Sequence, residues 1–284
     1  MQDILNKAEC RRIFDELYAG IFKGGFQDET MPLDFDRIFY YLEVLAGAGL
    51  LHRGVRLLDL AGGLSIFSPL LTKYGVKVTI VDDFGGGGGV RYDAREEDLK
   101  ILKIFREELG IDIIEMNFLE QEMALSSESF DVVTCFHSLE HWHHSPKFLF
   151  GELSRVLRAE GYLFLATPNA VNIRKRVFVL FGKSNFPRLE DWYDEPVYRG
   201  HVREPILVDL CRLLEWNDYR VISTSGRNFI GRRSKVMSFL PASCLRWIAV
   251  GMDYVLRFFP TLCSDIHVLG QKLGETPQGV VRRN

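Results

Sequence analysis

Cysteine is scarce in this sequence and occurs in no recognisable pairing. The 284 residues contain 5 cysteines, and no two of them form a C-x-x-C pair, which speaks against a zinc knuckle or a thioredoxin-like site. We therefore expect reduced thiols in a cytoplasmic protein. The first residues lack a basic-then-apolar signal segment, and no charge-free apolar run reaches the roughly 18 residues of a membrane-spanning helix.

An excess of positive charge is also absent. Lys and Arg number 35 against 38 Asp and Glu, which gives a formal net charge of −3. Proteins that bind nucleic acid broadly favour a basic domain, so we expect no nucleic-acid partner. With 47% hydrophobic and 26% charged residues, the chain can bury a large core, and its length fits a Rossmann-sized domain with appended helices.

From residue 55 onward, short apolar runs alternate with helical patterns. Strands are predicted at 55–59, 76–82, 111–116, 130–136, 161–167, 219–223 and 266–272, and helices at 3–22, 35–51, 66–74, 95–109, 146–158 and 205–216. Strands that alternate with helices are typical of a parallel sheet with helical crossovers. We predict an α/β fold with a Rossmann-like, doubly wound, mostly parallel seven-stranded sheet and helical inserts.

The predicted organisation has three parts. Residues 1–54 form N-terminal helices, residues 55–225 form the core, and residues 226–284 supply a helical insert and the last strand. An aromatic and basic insert at 170–200 covers the active-site edge. Within 232–259 a basic stretch leads into an apolar helix, which leaves three readings open: peripheral membrane contact, packing on the core, or a homodimer.

The loop after the first predicted strand carries the first sign of a ligand. It reads DLAGGLS from Asp59, and its small residues let the backbone approach a ligand closely. Asp82 ends the next strand, where a carboxylate can accept hydrogen bonds from a ribose. These features indicate an adenosine-containing cofactor. A dinucleotide loop would need glycine where Ile66 stands, so a nucleotide-dependent oxidoreductase is the alternative and not the first choice.

Five segments of the sequence then carry a family resemblance. LLDLAGGLS resembles the first motif of class I S-adenosylmethionine-dependent methyltransferases, D-x-G-x-G-x-G. Ala61 and Ser65 replace its first and last glycines, whereas Gly63 keeps the central one. VTIVDD, EMNFLE, FDVVTCFHSLEHW and GYLFLATPN resemble the motifs that follow, in order. The resemblance covers residues 55–225 and is closest to the small-molecule branch that includes ubiquinone-biosynthesis and glycan-modifying enzymes.

The resemblance implies S-adenosylmethionine as cofactor and a set of residues that bind it. Asp82 is preferred over Asp83 at the ribose because side chains alternate along a strand. Asn117 can meet the adenine amino group through its amide oxygen, and Phe118 can flank the ring. The full predicted set is Asp59, Ala61, Gly62, Gly63, Asp82, Asp83, Asn117, Phe118 and His137.

The predicted catalytic residues are His137, Glu140 and His141, at the end of the fourth strand beside the expected methyl group. A histidine titrates near neutral pH, so it suits a general base, and His141 is the first choice. The resemblance also suggests a metal, because ubiquinone-type enzymes have E-x-x-E-H here. This chain has H-x-x-E-H, which suits zinc or another transition metal. Alternatively, these side chains only support the loop.

The sequence as a whole predicts a methyltransferase with a small-molecule acceptor. The resemblance implies O-methylation of a sugar, a lipid-linked acceptor or a quinone-like acceptor. Tyr193, His201 and Arg203, in or just after the first insert, either line the acceptor pocket or pack the insert. The replacements at Ala61 and Ser65 motivate an alternative, a catalytically degenerate partner subunit that only binds S-adenosylmethionine.

Overall fold

A computed structural model describes residues 5–22, 31–84, 95–194, 198, 200–229, 251 and 253–274. Its strands are β1 (Arg56–Leu60), β2 (Lys77–Asp82), β3 (Asp112–Glu115), β4 (Phe130–Phe136), β5 (Leu157–Pro168), β6 (Tyr219–Arg227) and β7 (Asp265–Lys272). Its helices are α1 (Lys7–Ile21), α2 (Met31–Gly47), α3 (Phe67–Lys73), α4 (Arg95–Glu107), α5 (Lys147–Val156), α6 (Ile173–Leu180), α7 (Leu189–Tyr193) and α8 (Leu207–Trp216).

The strands form one seven-stranded sheet in the order β3-β2-β1-β4-β5-β7-β6. Strands β1 to β5 pair in parallel, so their carboxyl ends meet at one edge. Strand β7 lies antiparallel between β5 and β6, and its first residue, Asp265, therefore reaches the same edge. The predicted α/β class with a doubly wound, mostly parallel sheet is confirmed.

Helices cover both faces of the sheet. The buried apolar residues of α1, α2, α3 and α4 pack against one face, for example Phe14, Leu42 and Phe105. Those of α5 and α8 pack against the other face, for example Phe150 and Leu210. Because α1 and α2 belong to the same core as the sheet, the N-terminal helices bring their side chains to the sheet's surface.

The structure moves several predicted boundaries. The helix predicted to reach residue 158 ends at Val156, and β5 begins at once because Leu157 already pairs with Phe130 on β4. Strand β6 continues to Arg227, because it keeps pairing with β7 beyond the predicted end. The first insert contains α6 and α7, both short. Most of the segment 232–259 lies outside the described residues, so the predicted membrane contact and homodimer stay predictions.

No helix in the described part of the chain is long and apolar enough to cross a bilayer. Helices α1 and α6 begin where an asparagine side chain satisfies their first backbone N–H groups. At α1 the amide oxygen of Asn6 accepts hydrogen bonds from the N–H groups of Ala8 and Glu9, at 3.0 and 3.1 Å. At α6 the side chain of Asn172 accepts the N–H of Lys175.

Replacing Gly226 by Ala should destabilise the fold by about 1–3 kcal/mol, because overpacking at a backbone contact costs that much. A Cβ atom there would lie 2.7 Å from the Cα and carbonyl oxygen of Pro260. The matched control is Gly47→Ala at the end of α2, where a Cβ meets nothing within 4 Å. Chemical denaturation measures both variants, and equal stabilities would contradict the packing of β6 beneath residues 260–262.

Candidate active site at the carboxyl edge of the sheet

Asp59 joins three elements at the carboxyl edge. Its Oδ2 accepts the hydroxyl of Ser68 on α3 at 2.7 Å, and its Oδ1 accepts the hydroxyl of Thr134 on β4 at 2.8 Å. The carboxyl group is buried, and burial raises its pKa to about 6, against the opposite effect of the two hydroxyl hydrogen bonds. The end of β1 is therefore fixed to α3 and β4 directly beneath the loop that follows.

The loop after β1 has a backbone shape that explains its small residues. Ala61 and Gly63 both lie in the left-handed region, with φ of 56° and 54°. A Cβ atom on Gly62 would lie 2.3 Å from the carboxylate oxygen of Asp59, so no side chain fits there. Ala61 occupies a conformation that favours glycine, as its place in the motif predicts, and accepts the strain.

Asp82 faces this loop from β2. Its Oδ2 accepts the N–H of Gly63 at 2.9 Å, and its Oδ1 accepts the N–H of Phe84 at 2.7 Å. Burial raises the pKa of this carboxyl, and the backbone hydrogen bonds oppose that rise. Asp83 points outward and is exposed. Asp82 stays the predicted ribose ligand, and each of its carboxylate oxygens has a lone pair left after one hydrogen bond.

Asn117 and Phe118 follow β3 at the same edge. The amide oxygen of Asn117 accepts the N–H of Leu119 at 3.2 Å, so this oxygen helps shape the turn. Phe118 is buried and meets the ring of Trp142 edge-on, with centroids 6.1 Å apart. Trp142, which sequence reasoning did not select, is held by a 2.8 Å hydrogen bond from its Nε1 to the hydroxyl of Ser138.

His137 follows the end of β4 in a left-handed conformation, with φ of 50°. Its Nε2 lies 3.0 Å from the hydroxyl of Tyr41 on α2. Two carboxyl groups flank the ring: Glu140 Oε1 lies 3.8 Å from Nδ1, and Asp265 Oδ1 lies 3.7 Å from Nε2. Burial holds the pKa of His137 well below its usual value. The imidazole is therefore neutral at neutral pH and can accept a proton.

Glu140 is buried in the turn that follows. Its Oε2 accepts the hydroxyl of Thr167 at 3.0 Å, and its backbone carbonyl accepts the N–H groups of Val202 and Arg203. Burial raises the pKa of this carboxyl to about 7. These contacts tie the end of β4 to β5 and to the segment after the first insert.

His141 lies on the other side of Glu140, against His201. The two imidazole rings meet edge-on with centroids 4.8 Å apart. Glu140, His141 and His201 each offer a ligand atom, and these atoms lie within 4.8 Å of one another. The metal hypothesis from the sequence used His137, Glu140 and His141. The structure instead brings Glu140 and His141 together with His201, and His137 is not part of this group. Glu204 fixes His201 through Nδ1 at 2.7 Å and also pairs with Lys175.

Of the other predicted acceptor-pocket residues, Tyr193 on α7 is largely exposed and Arg203 lies beside Asp209, with Nη2 3.7 Å from Oδ2. The structure also adds residues that the sequence did not suggest. Tyr41 stacks on Phe136 at 4.0 Å between ring centroids, and Asp265 begins β7. No local motif marks them, because only the sheet order brings α2 and β7 to the end of β4.

These features lie at the carboxyl edge of a doubly wound α/β sheet, where ligands bind in folds of this class. The model of the family described as "Methyltransferase domain" matches residues 34–224. The chain belongs to this family, and the predicted class I S-adenosylmethionine-dependent methyltransferase family is confirmed.

Individual relatives are more distant. A ubiquinone biosynthesis O-methyltransferase of Actinobacillus pleuropneumoniae serotype 7 is 29% identical over 135 residues, which are 45% of this chain and 52% of that protein. The chain thus spans about half the length of this curated relative. The S-adenosylmethionine-dependent methyltransferase of Mesorhizobium loti matches with a TM-score of 0.54 and 14% identity, over 84% of this chain and 98% of its own.

A second similar structure is that of an enzyme named for another activity. The [4+2]-cyclase SpnF matches with a TM-score of 0.53 and 13% identity, over 93% of this chain and 95% of its own. Identities this low show a shared fold alone. The chemistry of the present chain therefore has to be argued from its own residues.

Two substitutions in the loop after β1 should act in opposite directions. Ala61→Gly removes left-handed strain and should stabilise the protein by about 0.5–1 kcal/mol. Gly62→Ala forces a Cβ onto the Asp59 carboxylate and should lower both stability and affinity for S-adenosylmethionine. Denaturation and calorimetry measure the two effects. A stable Gly62→Ala variant with unchanged affinity would contradict the loop geometry.

The metal hypothesis predicts stabilisation by a transition metal. Zinc at about 100 times its dissociation constant should stabilise the protein by about 2.7 kcal/mol, and a melting scan with chelator and with zinc reads this out. His201→Gln should abolish the shift, whereas His52→Gln, an exposed control, should keep it. An identical melting temperature with and without zinc would refute metal binding by Glu140, His141 and His201.

Proposed function

We propose that this protein transfers the methyl group of S-adenosylmethionine to a hydroxyl group of a small molecule, with His137 as the general base. The observation that carries the proposal is the position of His137. It follows directly on β4, next to the strand whose end holds the cofactor loop, because Leu60 pairs with Cys135. Its left-handed backbone is a conformation that non-glycine residues adopt at a cost and that is common at functional sites.

The chain's own residues supply what methylation of a hydroxyl needs. S-adenosylmethionine, when bound, supplies a methyl group already activated by the sulfonium. As the acceptor oxygen bonds to the methyl carbon and the carbon–sulfur bond breaks, the hydroxyl proton passes to the neutral imidazole of His137. Burial disfavours the imidazolium that forms, and the carboxyl groups of Glu140 and Asp265, 3.8 and 3.7 Å from the ring, offset this cost when they are ionised. The hydroxyl of Tyr41 orients the ring.

His137 is a better base than His141 on geometric grounds. Its ring lies between two carboxyl groups and against α2, whereas the ring of His141 packs against His201. The pKa of His201 falls to about 4 because it is buried, so it too is neutral. We therefore propose that His141 and Glu140 shape the turn beside the reacting groups. His137 is the residue that accepts the proton.

The residues around the loop after β1 fit the proposed cofactor. No side chain fits at Gly62, and Oδ2 of Asp82 lies at the loop, where it accepts the N–H of Gly63. Ala61, which replaces the first glycine of the motif, has a left-handed backbone. These features support cofactor binding. The enzyme and the degenerate subunit share that property, so the transfer assay separates them.

The acceptor proposed is a phenol, as in a quinone-like ring. Tyr41 on α2 lies beside His137 and stacks on Phe136 of β4, and the ring of Tyr40 lies 6.3 Å from that of Tyr41. Flat rings of this kind pack well against an aromatic acceptor. The relatives named as ubiquinone biosynthesis O-methyltransferases support the same class. Sugars and lipid-linked hydroxyl compounds are the comparison acceptors in the test below.

The test measures S-adenosylmethionine binding first and methyl transfer second. The wild-type protein should bind the cofactor in calorimetry and methylate a catechol faster than a sugar, with the methylated product followed by mass spectrometry. His137→Gln should lower kcat by about 10²- to 10⁴-fold, the usual contribution of a general base, with little change in cofactor affinity. His143→Gln, an exposed neighbour, should leave both quantities unchanged.

The outcomes separate the alternatives. Cofactor binding without transfer to any hydroxyl acceptor would favour the degenerate partner subunit. Binding of NAD in place of S-adenosylmethionine would favour the oxidoreductase. If His137→Gln kept full activity and His141→Gln lost it, the base would be His141 and the assignment would be wrong.

A further inference from the structure

A second group of buried polar side chains lies between α2 and the β7–β6 side of the sheet. Its centre is His267 on β7, which is 1% exposed. Neither ring nitrogen of His267 has a partner of full hydrogen-bond geometry in the described part of the chain, and the backbone of Ser225, paired with His267 across β6, makes a weaker contact with the ring. A buried polar group without a partner costs about 1–3 kcal/mol, and such a group in a folded protein calls for an explanation. His267 has no part in the proposed proton transfer.

Arg37 brings a positive charge to the same place from α2. Its Nε is buried and also lacks a hydrogen-bond partner among the described residues. Its guanidinium carbon lies 5.5 Å from the centre of the Phe229 ring, and that ring lies 6.2 Å from the ring of His267. The guanidinium and the imidazole therefore both lie near one phenylalanine ring. The charge of Arg37 also reaches His267, whose pKa is lowered first by burial and then by the charges of Arg227 and Arg37.

The neighbouring carboxylates have other partners besides Arg37. Asp265 accepts the hydroxyl of Ser264 at 2.7 Å and lies 3.7 Å from His137. Asp253 lies 3.7 Å from Arg227, the second arginine near His267. Among the described residues Arg37 forms no direct ion pair, but its charge opposes the rise that burial causes in the pKa of Asp265 and Glu140. A guanidinium with free N–H groups matches the two oxygens of a carboxylate or phosphate in a bidentate geometry.

Tyr41 connects this group to the reacting end. Its hydroxyl lies 3.0 Å from Nε2 of His137, and its ring lies 5.8 Å from the ring of His267. Tyr40, one residue earlier on α2, meets His267 at 4.9 Å. Because residues 37, 40 and 41 share one face of the helix, α2 offers a charged group and two aromatic rings in line. That spacing suits an aromatic acceptor with polar groups at both ends.

We propose that the acceptor carries an oxyanion, a carboxylate or a phosphate, which Arg37 and His267 bind while the hydroxyl group faces His137. The proposal rests on the proposed methyl transfer and adds the acceptor's charge. Arg37 supplies the charge and two parallel N–H donors, and neutral His267 donates one further hydrogen bond. Phe229, Tyr40 and Tyr41 pack against the ring between the two ends.

Binding of matched probes tests the proposal without any turnover. Protein saturated with S-adenosylhomocysteine is titrated in a calorimeter with 4-hydroxybenzoate, phenyl phosphate and the neutral 4-hydroxybenzamide. We expect one or both anions to bind at least about tenfold more tightly than the amide, because a charge-assisted hydrogen bond is about twice as strong as a neutral one. The stronger anion identifies the carboxylate or the phosphate as the group recognised.

Variants of the two residues provide the second arm. Arg37→Gln should weaken the preferred anion at least about tenfold and leave the affinity for 4-hydroxybenzamide unchanged. Arg37→Lys should retain part of the affinity, since it keeps the charge and loses the fork. His267→Gln should weaken the anion less than Arg37→Gln does. Arg106→Gln, an exposed arginine on α4, is the matched control and should behave as the wild type.

The failures of the two proposals are distinguishable. Anion binding in a protein that transfers no methyl group would leave the oxyanion site standing and reject the methyl transfer. Methyl transfer to phenols with equal affinity for the anion and the amide would do the reverse. The oxyanion proposal is also overturned if Arg37→Gln, with an unchanged melting temperature, binds the anion as the wild type does.

Discussion

The arrangement of the site depends on one buried carboxyl group, that of Asp59. It receives one hydroxyl from α3 and one from β4, so a single side chain sets the spacing between the first strand, the helix after it and the strand beside it. It also lies where a Cβ atom of Gly62 would be, so the loop above it must be bare. The missing side chain at Gly62 and the buried position of Asp59 are therefore one constraint. A side chain at residue 62 would clash with the Asp59 carboxyl group.

Two edges of the site follow from this anchor and differ in character. On the β2 side, Asp82 receives backbone N–H groups, which hold a negative charge close to the loop. On the β7 side, buried titratable groups face each other with few hydrogen bonds, and His137 lies at the boundary. The first edge, which we propose binds the nucleoside, is built from local motifs. The second, which we propose binds the acceptor, is built from distant segments.

This difference explains what the sequence could predict. The strand and helix order, the sheet type and the small-residue loop at Ala61 follow from local patterns, since each depends on a few consecutive residues. The choice of Asp82 as ribose ligand rests on the same kind of pattern and stays a prediction. His201 could be predicted as a pocket residue but not as the neighbour of His141, because the first insert separates them along the chain. Arg37 and His267 carry no motif at all. Each looks like an ordinary residue of a helix or a strand until the sheet order brings α2 and β7 together.

The antiparallel strand β7 has a consequence for how the chain reaches its native state. It lies between β5 and β6, and Tyr162 is paired with Gln271, whose side chain bonds the Tyr162 hydroxyl across 109 positions of sequence. Strand β6 precedes β7 in the chain, but it is the edge strand and pairs with β7. It can therefore join the sheet only after β7 has paired with β5. Long-range pairing of this kind slows folding, because the entropy of closing the loop is lost before the contacts form. We therefore expect the β7–β6 side of the sheet to assemble last, after the parallel strands β1 to β5 are in place.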